Sequence, residues 1–317
     1  MQSRASIKRV GKLETDGIIV VDKSQGVTSL SVVRTIKKIT QAKKVGHVGT
    51  LDPLATGVLP ICIGQATRFA DYYLDSGKSY LAEIRLGFAT DTYDADGRMT
   101  NQAKYEHLTF EDFAKRVNLF KGEILQKPPI FSALKKDGVR LYTLAREGID
   151  IDVPSRRVIV HDIAVKKWVP PFLTVEINCG KGFYVRSFAH DLGIQLGSYA
   201  HLSQLRRIKS GPFVIESAIS IEELASEANW SMAMDSPDKG LLEMNALHLD
   251  AFGRNKFQTG QPVSMPKDNL IIEHLEMRRV YSESSCFLGL AKFDSSENVW
   301  RAVKVLNSPL FSTYANS

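Results

Sequence analysis

Strand-like and helix-like segments follow one another irregularly along this chain, and their order limits the folds that it can adopt. The strand-like segments, which are apolar runs or alternate polar with apolar side chains, are residues 17–22, 58–63, 78–87, 157–167 and 172–179. The predicted helical segments are residues 30–39, 64–74, 108–120 and 141–147, and residues 182–196 are predicted as a turn and a helix. Because strands and helices do not alternate strictly, the sequence predicts an α+β protein and not a doubly wound parallel sheet.

The C-terminal part of the chain has a different pattern. Beyond about residue 250, short strand-like runs at 258–263, 286–291 and 300–305 alternate with turns. The length of 317 residues suits one large domain and one small one. We therefore expect a large domain over residues 1–249, beginning with a loose arm at 1–15, and a small β-rich domain over 250–317.

Charge and cysteine content restrict the class of function. The formal net charge is +6, which favours an anionic partner, nucleic acid first, although many proteins are mildly basic without one. The three cysteines include no CxxC pair and the seven histidines no HExxH motif, so neither a disulfide framework nor a metal site is expected. The sequence shows no signal peptide or membrane span, which predicts a cytoplasmic location.

One carboxylate stands alone in the segment GHVGTLDPLATGVL, residues 46–59. Asp52 is the only acidic residue between Lys23 and Ala70, a stretch that holds seven lysines and arginines. Neighbouring positive charges keep a carboxylate ionised, and an ionised Asp on a tight loop can be a metal ligand, a general base or a nucleophile. The alternative is an Asp-Pro turn in which the side chain caps backbone amides. A metal is disfavoured, because no second ligand lies nearby in sequence.

Residues 43–59 closely resemble, without a gap, the catalytic loop of the bacterial tRNA pseudouridine-55 synthase family. Further segments resemble that family in its own order: residues 17–29, 78–97, 128–148, 182–193 and 205–213. The resemblance covers roughly residues 15–245, and the tail is more weakly similar to the family's small RNA-binding domain of the PUA type. Ser24 departs from the usual proline of the first motif, which concerns the rigidity of a turn and not the chemistry.

The resemblance implies a pseudouridine synthase fold, with a central mixed, largely antiparallel sheet, flanking helices and a PUA-like C-terminal domain. It implies that uridine 55 in the T loop of tRNA is flipped out and isomerised to pseudouridine. The implied reaction needs no cofactor and no metal. The implied partner is the T stem-loop of tRNA, with no membrane and no protein partner, and the chain is expected to be a monomer.

The family's site residues can be transferred position by position. Asp52 is expected to be the nucleophile, with attack at the sugar C1′ or initial action as a base at C2′ left open. Tyr80 is expected to stack on the base and to help remove the C5 proton, and Arg186 to pair with Asp52. Tyr184 and Leu205 are expected to line the pocket. Judged by pattern alone, each of the four partners of Asp52 is an ordinary strand, surface or core residue: Tyr80, Arg186, Tyr184 and Leu205.

Two further residues are expected to bind RNA. His47 matches a family histidine that contacts RNA near the flipped nucleotide, although a lone loop histidine is more often only hydrogen-bonded or exposed. Lys23 is a candidate phosphate contact by charge alone, as are Arg206, Arg207 and Lys209. The glycines of the motif, Gly46, Gly49 and Gly57, are expected to let the backbone approach RNA closely and to adopt positive φ where it is needed.

Two other functions are compatible with the resemblance to this family. A non-catalytic tRNA-folding chaperone with the same fold is the main alternative, and Asp52, Tyr80 and Arg186 together argue against it. A synthase acting on another RNA, such as the guide-RNA-dependent branch, is the second. The segment from Asp94 to Gly97 resembles a phosphatase or calcium-binding motif, but its surroundings indicate a polar turn.

Overall fold

The structure, a computed structural model, describes residues 16–132, 134–136, 138–140, 152–226, 230–264 and 273–311. The predicted arm at 1–15 and the predicted helix at 141–147 lie outside the described residues. No helix within the described ranges is long and apolar enough to cross a bilayer.

The elements are named here in chain order. The strands are β1 (Gly17–Lys23), β2 (Val45–His47), β3 (Thr56–Ile63), β4 (Lys78–Leu86), β5 (Phe88–Thr90), β6 (Met99–Gln102), β7 (Gly122–Gln126), β8 (Lys135–Lys136), β9 (Val139–Arg140), β10 (Arg156–Val169), β11 (Phe172–Cys179), β12 (Ala200–Ser210), β13 (Phe213–Val214), β14 (Met234–Asp235), β15 (Ala246–Leu249), β16 (Val263–Ser264), β17 (Met277–Ser282), β18 (Cys286–Asp294) and β19 (Val299–Phe311). The α-helices are α1 (Ser29–Thr40), α2 (Ala70–Leu74), α3 (Phe110–Val117), α4 (Val185–Gln195), α5 (Ile221–Ser226) and α6 (Ala251–Gln258).

A large mixed sheet forms the centre of the protein. Its strand order is β14-β1-β3-β12-β4-β11-β10-β7, with β2 added to β3 and β13 to β12. The pairing of β12 with β3 is parallel, and the other pairings in this sheet are antiparallel. The predicted α+β class is therefore confirmed, and β3, β12 and β4 lie side by side in the middle of the sheet.

The side-chain pattern of the central strands explains their places. β1 and β3 are apolar and buried along almost their whole length, as the continuous apolar runs predict. β4 alternates buried and partly exposed residues, as its sequence predicts. β12 covers most of the basic segment before Phe213, and its alternation brings Leu205 and Arg207 to one face, where both are buried.

A second sheet, in the order β15-β17-β18-β19-β16, forms the C-terminal part of the chain. The predicted strands at 286–291 and 300–305 are confirmed within β18 and β19. The predicted strand at 258–263 is wrong, because α6 continues to Gln258 and only Val263 begins a strand. Asp250 caps that helix by accepting the Gly253 N–H at 2.7 Å, and Phe257 packs its inner face into the core.

The two sheets share an apolar core. Ile18 and Phe69 from the large sheet region pack in one cluster with Tyr281 and Phe287 from the second sheet. The rings of Phe69 and Phe287 lie 5.5 Å apart. The hydroxyl of buried Tyr281 donates to Asp238 Oδ2 at 2.7 Å, which ties the second sheet to the segment just before it. The C-terminal domain is therefore packed firmly against the rest of the protein.

Candidate active site

Asp52 lies on the loop that joins β2 to β3. Hydrogen bonds from the start of α1 hold this loop in place. Ser29 Oγ donates to the Leu51 carbonyl at 3.0 Å and accepts the Leu51 N–H at 2.9 Å. The Gly26 N–H donates to the Pro53 carbonyl at 2.8 Å. The residues on both sides of Asp52 are thus fixed to the body of the protein, while the Asp52 side chain is 41% exposed.

The carboxylate of Asp52 is paired with Arg186, the second residue of α4. Arg186 Nε lies 2.9 Å from Asp52 Oδ2, and the Arg186 side chain is only 7% exposed. The Asp52 backbone carbonyl accepts the Ala55 N–H at 3.1 Å, so a turn is present. The carboxylate of Asp52, however, meets a guanidinium, which orients it toward open space instead of using it as a turn cap.

Arg186 is itself held by three further oxygens. Nη2 donates to the Phe131 carbonyl at 2.9 Å, Nη1 donates to the Thr92 carbonyl at 3.3 Å, and Nη1 lies 3.5 Å from Asp94 Oδ2. Asp94 is buried in the turn that the sequence predicts. The sequence interpretation missed its contact with Arg186. Arg186 therefore lies between two carboxylates and is fixed on both sides.

A cavity of about 340 Å³ opens beside Asp52. Asp52, Tyr80, Tyr184, Arg186, Leu205 and Arg207 contribute to its wall. The volume is at the lower end of the range found for small-ligand sites and suits a single nucleotide. The structure thus brings five of the predicted residues, Asp52, Tyr80, Tyr184, Arg186 and Leu205, to one cavity.

Tyr80 and Arg207 are direct neighbours across the sheet. They are register partners in the antiparallel pair of β4 and β12, and both side chains are buried. Burial raises the pKa of the Tyr80 hydroxyl, while the charge of Arg207 and a side-chain hydrogen bond from it act in the opposite direction. Tyr80 is therefore a protonated phenol at neutral pH, next to a buried cation.

Tyr184 is fixed through its backbone at the start of α4. The Gln126 side chain accepts the Tyr184 N–H at 2.8 Å and donates to the Tyr184 carbonyl at 3.0 Å. This double contact orders the helix start that carries Arg186. Burial raises the pKa of the Tyr184 hydroxyl, so this residue also presents a neutral phenol at the cavity wall.

His47 ends β2, just before the Asp52 loop. It is half-buried, and burial together with the nearby Arg207 charge lowers the pKa of its imidazole. Its ring is therefore neutral at physiological pH and can offer a hydrogen bond, but no positive charge, to an RNA. A role of His47 in RNA binding stays a prediction.

Lys23 does not lie where a phosphate contact requires. It is fully buried at the end of β1, and its Nζ donates to the carbonyls of Ser24, Val27 and Pro53 at 2.9, 2.8 and 3.4 Å. Burial lowers its pKa to about 8. The interpretation of Lys23 as an RNA contact is corrected accordingly. The lysine instead supports the Asp52 loop from inside.

Two glycines of the motif adopt the positive φ values that the sequence predicts, and both contact Arg207. Gly57 has φ +99°, and a Cβ there would lie 2.2 Å from the Arg207 carbonyl oxygen. Gly49 has φ +73°, and its carbonyl accepts from Arg207 Nη2 at 2.9 Å. Both glycines therefore let the loop pack against Arg207 inside the protein, and Gly46 lies within β2, opposite Cys62.

Sequence reasoning missed Asp94, Gln126 and the internal position of Arg207. Period-two alternation along residues 200–210 would have shown that Arg207 shares a face with Leu205 and so points inward. The two other contacts join residues far apart in the chain, and no local pattern indicates them.

Comparison with known protein families gives three adjoining matches. The model described as TruB family pseudouridylate synthase (N terminal domain) matches residues 37–185. The tRNA pseudouridylate synthase B C-terminal domain matches residues 186–247, and the Pseudouridine synthase II TruB C-terminal model matches residues 246–300. Together these matches run from residue 37 to residue 300 and include most strands of both sheets.

Individual relatives are similar over most of their length. A tRNA pseudouridine synthase B from Clostridium tetani is 38% identical over 294 residues, covering 92% of this chain and 99% of the relative. A protein of the same name from Geobacter sulfurreducens is 43% identical over 250 residues, covering 78% of this chain and 82% of the relative.

Among solved structures, that of a Cbf5-Nop10-Gar1 complex superposes with a TM-score of 0.72 and 26% identity, covering 95% of this chain and 87% of that one. A chain from an H/ACA RNP bound to a substrate RNA superposes with a TM-score of 0.71 and 24% identity, covering 92% and 85% of the two chains. These likenesses confirm the predicted fold, including its β-rich C-terminal domain.

Proposed function

The chain belongs to the TruB family of pseudouridylate synthases, and we propose that it isomerises uridine 55 in the T loop of tRNA with Asp52 as its nucleophile. As a member of this family it is a tRNA pseudouridine synthase, an isomerase. The family assignment does not favour the non-catalytic chaperone. We propose, in addition, which uridine of the tRNA is modified and what each residue of the site does.

The ion pair between Asp52 and Arg186 carries the proposal. A carboxylate that is held by a buried guanidinium, at the wall of a cavity of nucleotide size, is oriented for attack. Because Asp94 and two backbone carbonyls hold the other side of Arg186, this guanidinium can keep its place while Asp52 reacts.

The other cavity residues take the flipped base. Tyr80 offers an aromatic face for stacking, and Leu205 adds an apolar contact on the neighbouring strand. Flipping a base out of a folded loop costs a few kcal/mol, which contacts between basic residues and the RNA backbone offset. Asp52 opens the reaction by attack at C1′ or by removing a proton at C2′. The released uracil turns within the cavity, and its C5 then bonds to the sugar.

We also propose how the chain is organised around this site. The catalytic domain extends to residue 245, and the C-terminal domain binds RNA outside the cavity. The boundary precedes Ala246 and not residue 250, because Ala246–Leu249 pairs with β17 in the second sheet. The enzyme acts as a monomer in the cytoplasm, where its tRNA substrate is found.

The test is tritium release from a tRNA transcript that carries 5-tritiated uridine. Wild type, Asp52→Asn and Asp162→Asn are compared. Asp162→Asn is the matched control, because Asp162 lies on β10, pairs with Lys121 and does not line the cavity. A second transcript has cytidine at position 55, and a parallel reaction contains EDTA. Filter binding of tRNA is measured for each variant.

We expect release by wild type and by Asp162→Asn, with and without EDTA, and no release by Asp52→Asn, which still binds tRNA. The transcript with cytidine at position 55 should release nothing. Full turnover by Asp52→Asn would disprove the nucleophile assignment. Release from the cytidine transcript would show that another uridine is the target, and tRNA binding without any release by wild type would return the chaperone alternative to first place.

A further inference from the structure

Arg207 is a buried cation whose charge has no obvious counterpart. It is 1% exposed, and two of its nitrogens donate to backbone carbonyls, Nε to Val58 at 2.7 Å and Nη2 to Gly49 at 2.9 Å. Within the described part of the chain, no carboxylate raises its pKa, and the one side chain that does is Tyr80. A buried guanidinium without an anion is costly, which suggests that its position has a function.

The surroundings of Arg207 make this shortage of negative charge more pronounced. It lowers the pKa values of Lys23, His47 and Lys78, which lie on three different strands of the same sheet. The other ionisable groups that act on Tyr80 are Cys179 and Asp52, both of which raise its pKa. A negative charge on the Tyr80 oxygen would therefore compensate the charge of Arg207, the buried cation that lies opposite Tyr80 on the neighbouring strand.

The chemistry of the contact between Arg207 and Tyr80, which are register partners on β12 and β4, also fixes the direction of the Tyr80 proton. A guanidinium has only N–H donors and no acceptor, so in its contact with Tyr80 the phenolic oxygen must accept. The O–H of Tyr80 then points away from Arg207, toward the cavity that both residues line. Since Arg207 is fixed by Val58 and Gly49, it holds this orientation without help from the substrate.

We propose that Arg207 is a positioning residue that acts through Tyr80, by turning its hydroxyl toward the base and stabilising its phenolate when the C5 proton is removed. The inference rests on the proposed function. The phenol first gives its proton to water. After C5 has bonded to the sugar, the C5–H bond breaks and the proton passes to the phenolate oxygen. The electron pair restores the C5–C6 double bond, and N1 takes a proton from water.

The timing follows from the change at Asp52. In the free enzyme the negative charge of Asp52 opposes ionisation of Tyr80. Asp52 loses that charge while it is bonded to C1′ or holds the C2′ proton, and it regains the charge when C5 bonds to C1′ and the carboxylate is released, whereas Arg207 keeps its charge throughout. Tyr80 therefore gives its proton to water while Asp52 is neutral, and Arg207 stabilises the phenolate until C5 loses its proton.

The test is the deuterium isotope effect at C5 in single-turnover reactions, with transcripts that carry 5-deuterated or ordinary uridine. Wild type is compared with Arg207→Lys and Arg207→Met, and the rate is followed against pH. Arg85→Lys is the matched control, because Arg85 lies on β4, the strand of Tyr80, but its guanidinium lies 5.0 Å from the centre of the Phe88 ring and does not line the cavity. Thermal melting and tRNA binding show which variants are folded.

We expect both Arg207 variants to react about 10- to 100-fold more slowly, with a larger isotope effect than wild type. In Arg207→Met the limb on which the rate rises with pH should move to higher pH, because loss of the cation raises the pKa of Tyr80. If Arg207→Met does not fold, Arg207→Lys alone gives the result. Slow, folded variants with the wild-type isotope effect would overturn the proposal and leave Arg207 a structural residue. No tritium release by wild type would instead disprove the proposed function.

Discussion

Replacing Gly57 by alanine tests whether the loop and β12 are packed as closely as described. At φ +99° an alanine is strained by about 1–2 kcal/mol. Its Cβ would also lie 2.2 Å from the Arg207 carbonyl oxygen and 2.9 Å from the Arg207 nitrogen, so two central strands must move apart. Such overpacking costs about 1–3 kcal/mol, which gives a total of about 2–5 kcal/mol in the free energy of unfolding.

Gly26→Ala is the matched control for this substitution. Gly26 has φ +83°, but nothing lies within 4 Å of the added Cβ, so only the strain of about 1–2 kcal/mol applies. Each kcal/mol shifts the melting temperature by about 2–4 °C in a protein of this size class. Circular dichroism should therefore show Gly57→Ala melting about 2–12 °C below Gly26→Ala. Equal melting temperatures would refute the close packing and, with it, the internal role given to this glycine.

Three further predictions follow from the site. Arg186→Lys should lower the single-turnover rate about 100-fold and leave tRNA binding intact, because one ammonium cannot contact Asp52, Asp94 and the Phe131 carbonyl together. Lys23→Met should cost about 1–3 kcal/mol in urea unfolding, because it leaves buried carbonyls unpaired. The affinity of Lys23→Met for tRNA should fall with salt concentration as steeply as that of wild type. A less steep fall would show that Lys23 contacts a phosphate. Burial raises the pKa of Asp191 from 3.8 to about 6, so its contribution to stability is present below pH 4 and is lost as pH rises through 6. Asp191→Asn should therefore gain about 1 kcal/mol over wild type at pH 7.5, after allowance for solvent screening, and nothing at pH 4. An equal gain at both pH values would contradict this linkage.

The elements that the sequence predicts well are those whose side chains repeat with a clear period. β4 alternates because one of its faces is buried, and β1 is apolar from Gly17 to Val21 because both of its faces are covered. The strand predicted at 258–263 failed because its first residue belongs to a short helix whose main signal is the cap at Asp250. Local propensity is weak over such short segments, and tertiary packing of Phe257 decides the structure.

The part of the site that lies in one contiguous motif, around Asp52, can be predicted from the sequence. The buried charged residues around it are harder to predict. Asp52 stands out because its neighbours lack any other acid. From the sequence, Lys23 and Arg207 are both expected to be surface cations, since lysine and arginine are rarely fully buried, but both lie inside the protein. Their internal positions depend on backbone carbonyls that become available only when the Asp52 loop is folded. A sequence read segment by segment contains no sign of these acceptors.

The core shared by the two sheets affects how the C-terminal domain can be studied. A chain cut before Ala246 would lose Tyr281, Phe287 and Leu290, and would leave Phe69 and Ile18 facing water. Such a truncated protein is prone to aggregate, and weaker tRNA binding by it would report damaged folding as much as a lost RNA contact. The contribution of this domain to recognition is better measured with charge-removing substitutions on its outer surface, which leave the shared core whole.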